Sequence, residues 1–281
     1  MQTLSGINIA QTKKISYLCL MKTFIIGTGN VAHSLVSSML SHPEIEIIGA
    51  HSRTAQKLIE FAGRFGIRYF CQLADIPSDA DLYIICTADK GIEPTARMLG
   101  NVRGTVVHTS GSTDISVLQT IFPNCGVIYP LQTFSAARIV DIAKVPLYIE
   151  HSGPQAQQTI EQFAGIMSEY VSHMDSHQRK TMHMSAVFAC NFVNHAIAAS
   201  QALLKEAGLP PGMHDQLIRE TVRKALSADP VLSQTGPAAR HDEAIMQMHH
   251  QMLTDRPTLQ AIYSLMSQSI QEFAEKYRNG I

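Results

Sequence analysis

The chain of 281 residues contains no tryptophan, and aromatic residues make up only 6% of it. That is too little for the base-stacking surfaces with which proteins hold single-stranded nucleic acids. Its 22 Lys and Arg offset 23 Asp and Glu, for a net charge of −1, and no basic block occurs. Polyanions and anionic lipid surfaces recruit such blocks, so neither nucleic acid nor membrane is an expected partner. The five cysteines (Cys19, Cys71, Cys86, Cys125, Cys190) are scattered, with no C-x-x-C spacing. This excludes a zinc ribbon or a disulfide framework and fits reduced thiols in the cytoplasm. Thirteen histidines raise the question of a metal, for example at His173/His177/His183 or His249-His250, but no H-E-x-x-H or closed ligand set occurs. No metal is expected. No stretch reads as long and apolar enough to span a bilayer.

What is present is a well-buried composition, 45% hydrophobic and 16% charged, in a chain long enough for two domains. Residues 1–20 contain Lys13-Lys14 and a short apolar run without a small-residue cleavage site, and Met21 stands just before the first strand. They read as a disordered N-terminal extension from an upstream start rather than a signal peptide.

Met21 leads into an apolar run that breaks at Gly27-Thr28-Gly29-Asn30-Val31-Ala32. The order is that of a buried strand, a tight turn and the start of a helix. Gly27 allows the turn, Gly29 lets backbone approach a pyrophosphate, and Ala32 lets helix pack on strand. The N–H groups at the helix start face the phosphates. The next strand, 45–50, ends in His51-Ser52-Arg53-Thr54. An NAD site would place an acid there for the ribose hydroxyl. Two hydroxyls and a planar, permanently charged arginine suit a 2′-phosphate instead, so NADP(H) is the expected cofactor. The plainer alternative is a polar loop capped by Ser52 or Thr54.

Strand and helix patterns then alternate. Strands are expected at 69–70, 81–87, 104–108, 125–129, 146–150 and 170–173, and helices at 31–41, 55–64 and 154–167. This is an α/β pattern, a doubly wound Rossmann sheet with largely parallel strands, and ligands lie beyond its C-terminal strand ends. Thr28, Ser52, Thr87 to Asp89, His108 to Gly111 and Tyr129 to Phe134 stand there. From about 178 the pattern is helical only, with helices expected at 180–207, 214–227, 242–253 and 258–276. The expected division is a nucleotide-binding domain at 21–176 and a smaller all-α domain at 177–281.

The long helix places Lys180, His183, Val187, Asn191 and Asn194 at three- and four-residue spacing, on one face. Apolar neighbours suggest that Asn191 is buried, where an amide needs partners. Either Asn191 and His183 hydrogen-bond a substrate oxygen in an interdomain cleft, or they bond helix to helix. Thr235-Gly236-Pro237 forms a rigid turn that delivers Arg240 near the next helix start. Arg240 is thus a candidate clamp for a substrate carboxylate or a solvated residue of a capping turn. His108, with Thr109 and Ser110, is a candidate proton donor because an ordinary histidine titrates near neutrality; the alternative is a satisfied histidine packed under the loop.

Taken together, Gly27 to Ala32, His108-Thr109-Ser110-Gly111, Pro130-Leu131-Gln132-Thr133-Phe134, His183 with Asn191-Phe192, and Thr235 to Arg240 with Asp242 resemble a family of Rossmann-like oxidoreductases. That family carries a C-terminal helical domain long described as of unknown function. It is similar to pyrroline-5-carboxylate reductase, ketopantoate reductase, deazaflavin-linked NADP reductases and 6-phosphogluconate-type dehydrogenases. The chain departs from the family at Tyr129, where members often have His, and at His241, where they often have Gly. The resemblance implies an NADP(H)-dependent reductase or dehydrogenase for a small carboxylate-bearing carbonyl, imine or alcohol, and a homodimer formed through the helices. Gly27, Thr28, Gly29, Asn30 and Val31 would line the pyrophosphate, with Thr87 and Ala88 beside it. Ser52, Arg53 and Thr54 would take the 2′-phosphate. His183 and Asn191, with Lys180 as an alternative proton donor, would serve the reacting atoms, and Ser110, His108 and Arg240 the substrate. A non-catalytic NADP(H)-binding regulator is the competing reading, since fold and function are separable.

Overall fold

The computed structural model describes residues 20–135 and 138–278; the expectation for 1–19 lies outside them. Eight strands form one sheet in the order β3-β2-β1-β4-β5-β6-β7-β8. The first six, β1 (Met21–Ile26), β2 (Ile45–His51), β3 (Tyr69–Phe70), β4 (Leu82–Ile85), β5 (Thr105–His108) and β6 (Cys125–Pro130), are all parallel. Their 3-2-1-4-5-6 order is that of a Rossmann sheet. β7 (Leu147–His151) runs antiparallel to β6, and β8 (Val171–His173) parallel to β7.

The central strands are short continuous apolar runs because both faces of the sheet are covered. Successive side chains alternate between two cores. Ile25 packs with Leu35, Leu58, Phe61 and Phe163 beneath α1 (Asn30–Met39), α2 (Ala55–Phe65) and α5 (Pro154–Met167). Phe24, its neighbour, faces the other way and packs with Tyr83, Ile92 and Leu118, under α3 (Asp89–Leu99) and α4 (Ser116–Gln119). Gly66, in the left-handed region at φ 66°, ends α2.

The chain divides into two compact units at Ala189/Cys190, later than the 176/177 border expected. The reason is that α6 (Ser176–Ala186) is bonded into the sheet unit by side chains of Ser176, Arg179 and His183. Asp175 and Gln178 cap α6 reciprocally. The helix continues through a π-helical stretch, Val187–Phe192, into α7 (Val193–Glu206). Contrary to the sequence reading, Ser176–Glu206 is by length and composition apolar enough to cross a membrane. Its charges cluster at the two ends, leaving 181–204 without Asp, Glu, Lys or Arg. One such helix is weak evidence of a membrane span, since apolar helices covered by protein pass the same test.

The second unit continues with α8 (Asp215–Ser227), α9 (Glu243–Met252) and α10 (Pro257–Arg278). Among its described residues only Ala238 and Leu253 are buried, while Leu217, Leu226, Leu232, Met252 and Leu265 are largely exposed. The apolar spacing that predicted these helices therefore marks faces left open within a single chain.

Candidate functional site

Gly27 adopts φ 113°, and a Cβ on it would lie 2.6 Å from the Cys86 carbonyl oxygen. Only glycine fits both restraints. Its N–H donates to the His51 carbonyl at 2.8 Å, tying the turn to β2. Gly29 is the N-cap of α1 with no side-chain cap, so the first N–H groups of Asn30, Val31 and Ala32 are available to an anion. Thr28 Oγ1 donates to Ser52 Oγ at 3.3 Å, joining the turn to the end of β2.

A cavity of about 260 Å³ opens there, walled by Gly27, Thr28, Gly29, Ser52, Arg53, Thr54, Thr87 and Ala88. Thr54 occupies the N-cap of α2 yet makes no side-chain cap bond, which removes the capping alternative for its hydroxyl. Lys57 lines the same wall. Sequence reasoning missed it; its place in the first turn of α2, four residues after Arg53, was the available signal.

A second cavity of about 370 Å³ is walled by Gly29, Asn30, Val31, Thr109, Ser110, Gly111, Tyr129 and His183. The two share Gly29, Cys86, Thr87 and Ala88, so they form one trough past the ends of β1, β4, β5 and β6. Thr87 Oγ1 is buried there with no hydrogen-bond partner among the described residues. A glycine cradle, a helix N-terminus and an orphaned hydroxyl fit a dinucleotide pyrophosphate, and the basic pair Arg53 and Lys57 fits a further phosphate. Asn30 Nδ2 donates to the Phe134 carbonyl at 3.2 Å, which brings the Pro130 to Phe134 segment onto the trough.

At the far end, Tyr129 Oη lies 3.0 Å from His183 Nδ1 and the rings meet edge-on, centroids 5.9 Å apart. Gly111 makes room, since a Cβ there would approach His183 Nδ1 to 2.7 Å and Tyr129 Cζ to 2.8 Å. Tyr129 is buried, and burial raises the pKa of its phenol. Nothing in the sequence pattern pairs Tyr129 with His183.

The other candidates lie as follows. Ser110 lines the cavity, and its Oγ accepts from the Ser112 and Thr113 N–H groups at 3.1 and 2.9 Å. His108 is fully buried and does not reach the cavity wall. Its Nδ1 accepts from the Ser110 N–H at 3.2 Å. Burial, then the Arg179 charge, push its pKa down to about 3. It is neutral near pH 7 and packed under its loop, but not satisfied there, since its Nε2 is buried with no hydrogen-bond partner among the described residues. Lys180 is turned to the surface, where Nζ pairs with Asp114 Oδ2 at 2.7 Å. Asn191 is exposed rather than buried, because the apolar side chains beside it are exposed too. It also falls in the π-helical stretch, which interrupts the i, i+4 spacing that put it on one face with His183. Arg240 is exposed in a turn before α9, beside His241 at φ 54°, and Asp242 caps the helix. Among the described residues no group of three or more His, Cys, Asp or Glu assembles as a metal site.

Residues 22–109 match the family described as NADP oxidoreductase, coenzyme F420-dependent. Residues 145–270 match a domain of unknown function, DUF2520. No curated protein matches the chain. Among solved structures, a candidate NADP oxidoreductase from Bacteroides fragilis is 36% identical, with a TM-score of 0.84, over 91% of this chain and 99% of that one. The 1-pyrroline-5-carboxylate reductase of Streptococcus pyogenes is 15% identical, with a TM-score of 0.59, over 90% and 99%. An imine reductase from Myxococcus stipitatus in complex with NADP+ is 14% identical, with a TM-score of 0.62, over 90% and 94%. The last two share the fold. Given the identity to the Bacteroides protein across nearly all of both chains, this chain belongs to the NADP oxidoreductase family in which a Rossmann-like domain precedes a helical domain of unknown function.

Proposed function

We propose that this NADP-dependent oxidoreductase acts on a small carboxylate-bearing carbonyl, imine or alcohol, such as a ketopantoate-like or pyrroline-carboxylate-like acid. The observation that carries the reading is the single trough that runs from Arg53 and Lys57, past the Gly27 turn, to Tyr129 and His183. The bound nucleotide supplies or accepts the hydride. Gly27, Thr28, Gly29, Asn30 and Val31 hold its pyrophosphate; Ser52, Arg53, Thr54 and Lys57 hold the 2′-phosphate. Thr109, Ser110, Gly111 and His183 border the reacting atoms, where His183 orients the substrate oxygen or nitrogen. The likeness to pyrroline-carboxylate and imine reductases supports this substrate class. The open apolar faces of the helical unit support a homodimer built through it, and the free thiols support a reducing, cytoplasmic setting.

Calorimetric titration with NADPH and NADH tests the cofactor site, and substrate-dependent NADPH oxidation with ketopantoate and 1-pyrroline-5-carboxylate tests the substrate class. Tighter binding of NADPH with turnover of one of these acids is expected. Turnover only of substrates without a carboxylate would overturn the proposed class.

A further inference from the structure

From the contact at the far end of the trough we infer that Tyr129 is a positioning residue that fixes the tautomer of His183, so that the imidazole presents its Nε2–H to the cavity. The inference rests on the reading of that cavity as the reacting end of the site. Tyr129 Oη and His183 Nδ1 are 3.0 Å apart. A buried phenol must donate its proton to an acceptor, and Nδ1 is the partner its hydroxyl has among the described residues. Burial keeps the phenol protonated through neutral pH. Accepting at Nδ1 leaves a neutral imidazole with its hydrogen on Nε2, on the opposite edge of the ring.

The surroundings favour this polarity. Gly111 packs against the Nδ1 edge without a side chain, and among the described residues Tyr129 is the partner bonded to Nδ1. The two cations nearest in α6 are engaged elsewhere. Arg179 is bonded to Glu150, Thr113 and Ser176, and Lys180 to Asp114. Held from one edge only, His183 offers a donor and not an acceptor, which selects a carbonyl oxygen or imine nitrogen as the atom it meets. The reverse polarity, Nδ1–H donating to Tyr129 Oη, would offer an acceptor suited to an alcohol.

The test is a long-range proton–nitrogen correlation spectrum of the full chain labelled with 15N-histidine, at about pH 8, above the ordinary histidine range. His183 is identified by its loss in His183→Gln. In the wild type, Nδ1 should show the unprotonated shift and Nε2 the protonated one. In Tyr129→Phe, the His183 signals should move toward a mixture of tautomers while the other histidines stay in place. A wild-type His183 protonated on Nδ1 overturns the inference, and so does an unchanged His183 pattern in a folded Tyr129→Phe. If that variant does not fold, the wild-type spectrum decides alone. NADPH titration of the same sample separates the two readings, because absent nucleotide binding with the expected tautomer would remove the cofactor site and leave the Tyr129–His183 assignment standing.

Discussion

Arg179 and Glu150 form an ion pair inside the sheet unit, their side chains only 1% and 16% exposed. The guanidinium also donates to the Thr113 carbonyl at 2.6 Å and to Ser176 Oγ at 3.1 Å, and Glu150 accepts from Ser176. The start of α6, strand β7 and the loop after β5 are thereby held together, one turn before His183. Glu150→Gln would leave a buried guanidinium without its counter-charge. We expect it to cost about 3–5 kcal/mol, read as a lowered midpoint in urea. A loss below about 1 kcal/mol, the scale of a surface ion pair, would show that the pair does not hold the loop.

Gly111→Ala should separate His183 from Tyr129, because the added methyl has no space between them. Overpacking of this kind costs about 1–3 kcal/mol. A melting midpoint equal to the wild type, with the His183 ring resonances in place, would contradict the account of Gly111.

Arg53→Ala and Lys57→Ala should each weaken NADPH binding about ten-fold, near 1.4 kcal/mol, with NADH affinity unchanged. Calorimetry with both nucleotides reads this directly. Equal losses for NADPH and NADH would move these cations away from the 2′-phosphate.

The buried His108 links stability to pH. Its pKa is about 3 in the folded chain and about 6.5 when exposed. Between these values the unfolded chain binds more protons, so stability is complete above about pH 6.5 and falls as pH drops toward 3. His108→Gln, which retains an acceptor for the Ser110 N–H, should flatten that slope in urea unfolding measured across the window. An identical slope in wild type and variant would assign the effect to other groups.

His241 stands at φ 54°, in the left-handed region that favours glycine. His241→Gly should therefore stabilise the chain by about 1 kcal/mol, seen as a raised melting temperature. A lowered one would mean that the imidazole makes a compensating contact.

Much of the sheet unit was legible because its signals are local. The apolar run of Met21–Ile26 and the glycines after it specify strand, turn and helix from neighbouring residues alone, and β3 and α5 fall where their patterns put them. Asn191 shows the limit. Apolar neighbours along a helix imply burial only if another element covers that face, and among the described residues Asn191 is left exposed. The π-helical stretch adds a change of register that side-chain spacing does not announce.

Local propensity and turn chemistry, both properties of adjacent residues, were enough to specify a Rossmann fold with an NADP cofactor. Only the tertiary structure decided which of the candidate histidines reaches the cavity. His108 and His183 are alike as residues, yet one is sealed under the loop and the other meets Tyr129, 54 positions away. That choice depends on strand order and on the clasp of α6 by Arg179 and Glu150, contacts between segments whose separation along the chain carries no periodic signal.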